Sequence, residues 1–398
     1  MKRKISLLPF IVIAIILLLM NWYVMAGLSV IFPSNLWKPV FIAIILTINL
    51  SFIMALIRLA KIGIDTFFKV TVHAFMVVFV AELTFSVLVF LGSIFKLLVG
   101  FLGFNLSSGI FSVVALAFTL LLFLFFIHGM IWGKYAYRVI RQTLYFDDLP
   151  MAFDGFTLTQ ISDVHSGSFT NAKAVQKGID LINAQNSDLF VFTGDLVNNK
   201  ADEIVPWMAH FSQIKANYGQ FSILGNHDYG DYVSWNSDLE KIENLQTLKS
   251  HHQQMGFRLL LDEHITLEKN GEKMVLAGVE NWGKGFGERG DLQKALTKTD
   301  IHDFKILLSH DPSHWDEQVK THPSKIHLTL SGHTHGMQFG IEAFGIKWSP
   351  VKYRYPHWAG LKEEFNRFLY VNRGFGFLGF SGRVGIWPEI TVIELKKK

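Results

Sequence analysis

Residues 157–167 read Thr157-Leu-Thr-Gln-Ile-Ser-Asp163-Val-His165-Ser-Gly167, an alternating apolar run that ends in an acid, a gap and a histidine. The alternation predicts a β-strand. In an extended segment residues i and i+2 face the same way, so Asp163 and His165 are expected to point towards one place. Both side chains are good donors to a divalent metal. The stretch predicts a fold in which strand ends deliver metal ligands.

Four later apolar runs end in the same kind of residue. They are Asp188-Leu-Phe-Val-Phe-Thr-Gly-Asp195, Phe221-Ser-Ile-Leu-Gly-Asn226-His227-Asp228, Lys305-Ile-Leu-Leu-Ser-His310 and Ile326-His-Leu-Thr-Leu-Ser-Gly-His333-Thr-His335. Helix-like spacing between the runs, as in Lys173 to Asn183, predicts an α/β domain. The chain has no cysteine, so a metal must use nitrogen and oxygen ligands.

Seven oxygen or imidazole donors follow these runs. They are Asp163, His165, Asp195, Asn226, His310, His333 and His335. Such donors suit Mn, Fe or Zn, and two such ions about 3.5 to 4 Å apart clamp a phosphoryl group and activate a water. The sequence therefore predicts two divalent metal ions as cofactors and a phosphoester as substrate.

The amino-terminal third has a different composition from the rest. The 398 residues are 50% hydrophobic, with mean hydropathy +0.29, and the excess lies in residues 1–133. Four runs there are long enough for the roughly 20 residues that a bilayer span needs, and they predict transmembrane helices at about 5–25, 39–60, 70–95 and 109–132. Residues 134–154 are expected to form a juxtamembrane connector, and residues 155–398 the catalytic domain.

Basic residues are concentrated in alternate flanks of these runs. They are Lys2, Arg3 and Lys4, then Arg58, Lys61 and Lys69, then Lys134, Arg138 and Arg141, against Lys38 and Lys96 in the other loops. The positive-inside rule predicts a multi-pass cell-membrane protein with a cytoplasmic catalytic domain. The formal charge of +4 is dispersed, so the sequence gives no support to a nucleic-acid partner.

The ordered motifs of the five runs resemble those of the calcineurin-like metallophosphoesterases. The match covers about residues 155–395, and the resemblance implies an αββα sandwich. Two features are similar to a small membrane-associated bacterial branch of this family. They are the Gly-His-Thr-His-Gly segment that ends the last motif, and the tail from Val371 with Arg373 and Arg383. Some members of that branch cleave the pyrophosphate of UDP-2,3-diacylglucosamine. Met337 departs from the branch, because glycine is usual there and only glycine adopts a positive φ freely.

The resemblance also implies a role for each site residue. It assigns Asp163, His165 and His335 to one metal, assigns Asn226, His310 and His333 to the other, and makes Asp195 the bridge. His227 would protonate the leaving oxygen, with Asp228 orienting its ring. Arg373, or Arg383, would bind substrate phosphate or fix the loop. The glycine-spaced residues 283–290 are expected at the edge of the site.

The membrane region alone does not determine the substrate. A bilayer anchor favours a phosphodiester or pyrophosphate of a lipid-linked substrate, cleaved by metal-activated hydroxide. The alternatives are a cyclic-nucleotide or general phosphodiesterase, and a membrane sensor or transporter whose metal domain binds a ligand. Glu82, near the centre of the third span, is expected to fix helix packing, and the competing hypothesis of a functional role is the best sequence support for that last alternative. The aromatic stretch 375–380 is expected to be core or loop packing, with a membrane-dipping lip as the competing hypothesis.

Overall fold

The computed structural model of the chain describes residues 8–62 and 65–398 and divides into two compact units, Met1–His128 and Gly129–Lys398. The amino-terminal helices are α1 (Leu8–Ile31), α2 (Trp37–Ile62), α3 (Thr66–Gly100) and α4 (Ser108–Ile131). Each is long and apolar enough to cross a bilayer. Asp65 caps α3 by accepting from the Phe68 N–H, and it also pairs with Arg58. The four apolar helices expected from the sequence are therefore confirmed.

The helix ends differ from the sequence-based bounds at several places. The first helix runs to Ile31 rather than ending near residue 25. Asn21 Nδ2 donates to the Leu17 carbonyl and Ser29 Oγ donates to the Met25 carbonyl of the same helix, so neither polar residue interrupts it. The start of that predicted helix and the basic residues Lys2, Arg3 and Lys4 lie outside the described residues.

The carboxy-terminal unit holds the remaining elements. Its strands are β1 (Arg138–Phe146), β2 (Thr157–Ile161), β3 (Leu189–Thr193), β4 (Gln220–Ile223), β5 (Arg258–Leu259), β6 (Glu263–Lys269), β7 (Glu272–Gly278), β8 (Trp282–Gly283), β9 (Gly287–Glu288), β10 (Lys305–Leu308), β11 (Leu328–Ser331), β12 (Ile341–Ala343), β13 (Ile346–Trp348), β14 (Gly360–Glu364), β15 (Arg367–Val371) and β16 (Glu389–Lys397). Its helices are α5 (Ala172–Asn183), α6 (Met208–Phe211), α7 (Asp238–Gln254) and α8 (Leu292–Ala295).

Two six-stranded mixed sheets form the centre of this unit. The first has the order β1-β16-β2-β3-β4-β5, with β2 to β5 parallel and β16 antiparallel to β2. The second has the order β14-β15-β11-β10-β7-β6, with its four middle strands parallel. Two short hairpins, β8–β9 and β12–β13, stand outside these sheets.

Three hydrophobic clusters show how the layers stack. Side chains from β2, β3, β10 and β11 alternate into one buried cluster between the sheets, which includes Leu158, Val191 and Ile306. A second cluster joins the other face of the first sheet to α5 and α7, and a third joins the second sheet to α8. The order helix, sheet, sheet, helix confirms the expected αββα sandwich.

The segment expected as a juxtamembrane connector, residues 134–154, belongs to the sandwich. It contains β1, which pairs in parallel with β16 along its whole length at the edge of the first sheet. Tyr137 stacks on Phe375, with ring centroids 4.4 Å apart. The mixed basic and aromatic composition had indicated a segment that lies against the lipid headgroups. It belongs instead to an edge strand, which packs one face and exposes the other.

Candidate metal centre

The candidate ligands follow the carboxyl ends of β2, β3, β4, β10 and β11, where the two sheets present their loops together. Five of these residues have a left-handed backbone, with φ of 52° at Asp163, 45° at His165, 61° at Asp195, 69° at His333 and 50° at His335. This conformation costs a non-glycine residue about 1–2 kcal/mol. Strain concentrated at one place in a buried loop cluster is typical of a functional site.

Asp163, His165 and His335 form the first cluster. All three are buried, and their ligand atoms lie within 4.8 Å of one another. The His335 Nε2 atom is 3.0 Å from His165 Nε2 and 3.2 Å from Asp163 Oδ1. The backbone N–H of His333 donates to both oxygens of Asp163, which fixes that carboxylate beside the β11 loop.

Asp195, His310 and His333 form the second cluster. Asn226 joins it, because its Oδ1 lies 2.9 Å from His333 Nδ1. A single oxygen, Asp195 Oδ2, is 3.4 Å from His165 Nε2 and 3.2 Å from His310 Nε2. The seven residues singled out in the sequence are thus brought together, and Asp195 lies between the two clusters.

The spacing of these atoms fits divalent ions. Metal–ligand bonds of about 2.1 Å separate neighbouring ligand atoms by roughly 3.0 Å in an octahedron and roughly 3.4 Å in a tetrahedron. His310 Nδ1–H donates to the Thr193 carbonyl over 2.7 Å, which leaves the lone pair on Nε2. That buried Nε2 forms no hydrogen bond of good geometry among the described residues and faces Asp195 Oδ2 at 3.2 Å. The donor set therefore fits two metal ions.

The electrostatics of the site favour ionised carboxylates and two neutral imidazoles, but they also favour a proton on His310. Burial opposes that proton, yet the Asp195 carboxylate raises the pKa of His310 to about 10. Burial disfavours the charged carboxyls, yet the imidazole of His335 holds the pKa of Asp163 below its ordinary value, and that of His310 does the same for Asp195. Burial lowers the pKa of His165 and of His333, so both imidazoles are neutral. The ionised carboxylates attract cations, and a metal ion held by His310 would take the place of its proton.

Two residues that were not predicted from the sequence contact the Nε2 atom of His333. Its Nε2 lies 2.9 Å from the Tyr355 hydroxyl and 3.3 Å from Asp311 Oδ2, and the Tyr355 hydroxyl donates to the same Asp311 oxygen over 3.0 Å. Such outer contacts set the tautomer and the ring orientation of a metal-binding histidine. Asp311 directly follows His310, which was a usable signal, whereas nothing local marked Tyr355.

His227 lies at the edge of the clusters, but its ring is held differently from the expectation. Its Nδ1–H donates to the Asn198 carbonyl over 2.8 Å. The Asp228 carboxylate does not orient that ring. It is buried and instead accepts four backbone N–H groups, from Gly225, Asp195, Leu196 and Val197. A carboxylate enclosed by four amide donors has no oxygen left for a histidine, so Asp228 fixes the loops that carry the ligands.

Comparison with known proteins matches this arrangement. The family described as calcineurin-like phosphoesterase matches residues 156–337. A second family, described as the transmembrane domain of a probable calcineurin-like phosphoesterase, matches residues 4–134. The uncharacterized metallophosphoesterase YkuE of Bacillus subtilis (strain 168) is 31% identical over 254 residues, which is 62% of this chain and 82% of that protein. The chain belongs to the calcineurin-like metallophosphoesterases.

Other metallophosphoesterase relatives differ in the share of their length that aligns with this chain. A protein from Aquifex aeolicus (strain VF5) is 27% identical, with 66% of this chain and 94% of that protein aligned. A transmembrane protein with metallophosphoesterase domain from Danio rerio is also 27% identical, with 73% of this chain aligned. The chain spans 64% of that fish protein's length. This metallophosphoesterase is thus a membrane-associated phosphoester hydrolase.

The two arginines considered for substrate phosphate are occupied within the metallophosphoesterase domain. Arg373 forms a two-pronged ion pair with Glu342 over 2.7 and 2.9 Å and a second ion pair with Glu389. Burial works against the guanidinium charge, but these two carboxylates raise the pKa of Arg373. Arg383 is buried and donates to the carbonyls of Gly374 and Gly376. Of the two expected roles, fixing the loop is the one these contacts support.

The rim of the metallophosphoesterase site includes the glycine-spaced loop. The Phe286 ring lies 4.7 Å from the ring of His333, which places this loop at the edge of the site as expected. Tyr232 accepts from Asn226 Nδ2 and lies 4.5 Å from the ring of His227. Met337 has a φ of 48°, so the position where the related branch has glycine does require a left-handed backbone.

Proposed function

We propose that the protein hydrolyses a phosphodiester or pyrophosphate bond of a lipid-linked substrate at the cytoplasmic face of the cell membrane. The observation that carries this proposal is the single carboxylate oxygen of Asp195, which lies within 3.4 Å of a ligand atom from each cluster. An oxygen shared in this way fits a pair of ions close enough to act on one phosphoryl group. The four apolar helices favour a substrate that is itself in the bilayer.

We assign one ion to Asp163, His165 and His335, and the other to Asn226, His310 and His333, with Asp195 shared. These nitrogen and oxygen donors suit Mn, Fe or Zn. When bound, the ions would supply Lewis-acid stabilisation of the phosphoryl oxygens and a hydroxide nucleophile at neutral pH.

His227 is the proposed general acid. Its Nδ1–H is committed to the Asn198 carbonyl, so Nε2 is the ring nitrogen that is left for the substrate. Its ring lies 5.0 Å from that of His165, beside but outside the first cluster. Protonated His227 donates its Nε2 proton to the leaving oxygen as the phosphorus–oxygen bond breaks. The backbone N–H of His227 meanwhile donates to Asp195 Oδ1, which couples the position of the acid to that of the shared carboxylate.

The test is hydrolysis of bis-p-nitrophenyl phosphate and p-nitrophenyl phosphate by the detergent-purified full chain with added Mn. Asp195→Asn is expected to lose activity and bound metal together, whereas His227→Ala should lose roughly 10²- to 10⁴-fold in rate while keeping two metals per chain. His302→Ala, at an exposed histidine outside the site, is the matched control. Full diester activity in Asp195→Asn would overturn the proposal.

The substrate class is tested by comparing lipid-linked and soluble phosphoesters. A higher kcat/KM for a long-chain alkyl p-nitrophenyl phosphodiester in vesicles than for bis-p-nitrophenyl phosphate supports the lipid assignment. Preference for a cyclic nucleotide would instead favour the general phosphodiesterase alternative. A reporter fused after Lys398 should be active only inside the cell, and a reporter active only outside would reverse the proposed topology.

A further inference from the structure

The hairpin β12–β13 exposes its apolar face. In its register Ala343 pairs with Ile346 and Ile341 pairs with Trp348, so these four side chains share one face. Ile341 and Ile346 are 49% and 57% exposed, and Phe344 at the tip is fully exposed. Apolar residues clustered on the outward side of a hairpin mark a surface that meets something other than water.

The polar face of the same hairpin is turned to the domain. Glu342 pairs with Arg373, and Lys347 Nζ donates to the Ala359 carbonyl. Hairpins on a soluble domain normally bury the apolar face and solvate the polar one. Here the arrangement is reversed, and the ion pair keeps the apolar face directed outward.

The turn of this hairpin has an unusual sequence for a loop that is exposed to water. Phe344 and Gly345 form a two-residue loop with φ of 54° and 77°. The β6–β7 hairpin has the same loop length and nearly the same φ values, 51° at Asn270 and 81° at Gly271. Asn-Gly is the preferred pair for such a loop, because asparagine tolerates the left-handed backbone. The chain therefore carries an exposed phenylalanine at a position where the backbone disfavours it.

The base of the hairpin is joined both to the metal centre and, within the same compact unit, to Gly129. Ser349 Oγ donates to the carbonyl of Gly336, the residue after the candidate ligand His335. The Gly340 N–H donates to the Val384 carbonyl, and the neighbouring Arg383 N–H donates to the Gly129 carbonyl over 3.1 Å. Gly129 lies in the last turn of α4 and in the same compact unit as the catalytic domain.

We propose that the β12–β13 hairpin inserts Phe344, Ile341 and Ile346 into the interface of the lipid bilayer and so holds the metal centre at headgroup level. The contacts of its base lead to Gly129, the first residue of the catalytic unit, which follows the apolar residues of α4 directly in sequence. Lys352 and Arg354, exposed just after the hairpin, complement anionic headgroups. The aromatic stretch 375–380 does not have this role, because Phe375 and Phe377 are buried and pack in the core as expected.

Insertion is tested with a dye, independently of activity. The chain has no cysteine, so Phe344→Cys and Asn270→Cys each give one labelling site on matched turns. The full chain is reconstituted in phosphatidylethanolamine–phosphatidylglycerol vesicles whose acyl chains are brominated, with a polarity-sensitive dye on the cysteine. Emission at position 344 is expected to fall by about half, with no fall at position 270. Equal quenching at both positions, or none at 344, overturns the proposal.

The consequence for catalysis rests on the proposed function and is tested with Phe344→Asn, which keeps the turn and removes the apolar tip. Hydrolysis of hexadecyl p-nitrophenyl phosphate in vesicles should fall roughly three- to tenfold, with hydrolysis of soluble bis-p-nitrophenyl phosphate unchanged. An equal effect on both substrates overturns the link between hairpin and substrate. If the unsubstituted protein cleaves neither substrate, the proposed function fails, while the dye measurement still decides insertion.

Discussion

Replacing Asp228 by asparagine should unfold the site rather than only slow the chemistry. In the structure Asp228 Oδ1 accepts the N–H groups of Leu196 and Val197, and Oδ2 accepts those of Asp195 and Gly225, at 2.8 to 3.2 Å. An asparagine has one oxygen, so whichever way its amide turns, two buried N–H groups face an NH₂ group. Hydrogen bonds to a charged acceptor contribute about 1.5–3 kcal/mol each, so the loss is about 3–6 kcal/mol.

The size of this loss should depend on bound metal. Burial and the charge of Asp195 raise the pKa of Asp228 to about 7, so in the metal-free protein the removed charge offsets part of the lost hydrogen bonding. Bound divalent ions would counter the charge of Asp195 and so reduce that offset. The destabilisation is therefore expected to be larger with Mn bound than after chelation.

The assay is thermal unfolding of the detergent-purified full chain, with and without Mn. At about 2–4 °C per kcal/mol, the Mn-loaded Asp228→Asn variant should lose roughly 6–24 °C in Tm. The same change at Asp180, exposed on α5, should stay within about 0.5 kcal/mol. If Asp228→Asn instead lowered kcat with Tm and metal content unchanged, Asp228 would act on His227 and the scaffold reasoning would be wrong.

Three further predictions follow from buried polar groups. Asp311→Asn should weaken Mn binding roughly 10- to 100-fold in a calorimetric titration, because it loosens His333, and unchanged affinity would contradict this. Burial lowers the pKa of His252 from 6.5 to about 3, so the unfolded chain binds a proton that the folded chain excludes, and stability falls as pH drops from 6.5 towards 3. His252→Asn, which keeps the Ser222 hydrogen bond, should reduce that slope by up to about 1.4 kcal/mol per pH unit in urea unfolding, and an unaltered slope would refute it. Glu82→Gln should leave the kcat for soluble diester unchanged, because Glu82 lies in the other compact unit, whereas a large fall would favour the sensor alternative.

The positions of the ligands were predictable because their signals are local. An apolar run followed by Asp163 and His165, or by Asp195, is a strand with its end residues, and parallel strands bring such ends to one edge. The alternation of strand and helix patterns predicted an α/β domain, and the length of the apolar runs predicted the four helices, whereas the αββα order came from the family resemblance. Patterns of a few neighbouring residues were enough to predict where the ligands lie, and no contact between distant residues had to be known.

The roles of the supporting residues were not predictable in this way. Asp228 stands next to His227 in sequence, but its four hydrogen-bond donors come from two loops that only the folded sheet brings together. Arg373 is committed to Glu342 of a hairpin some thirty residues earlier, and that pairing leaves no local trace. The left-handed backbone of the ligands is likewise imposed by tertiary contacts, since Asp and His adopt it more often than most residues but still at a cost in free energy.

The pairing of β1 with β16 has a practical consequence for dividing the chain. A fragment beginning at residue 155 would leave β16 as an uncovered edge and discard Tyr137, which stacks on Phe375. A protease that cut between β1 and β2 would sever the chain, but the pairing of β1 with β16 would still hold the two fragments together. The natural place to separate the catalytic unit is the short stretch between Ile131 and Lys134, before Tyr135 and Tyr137 pack against its core.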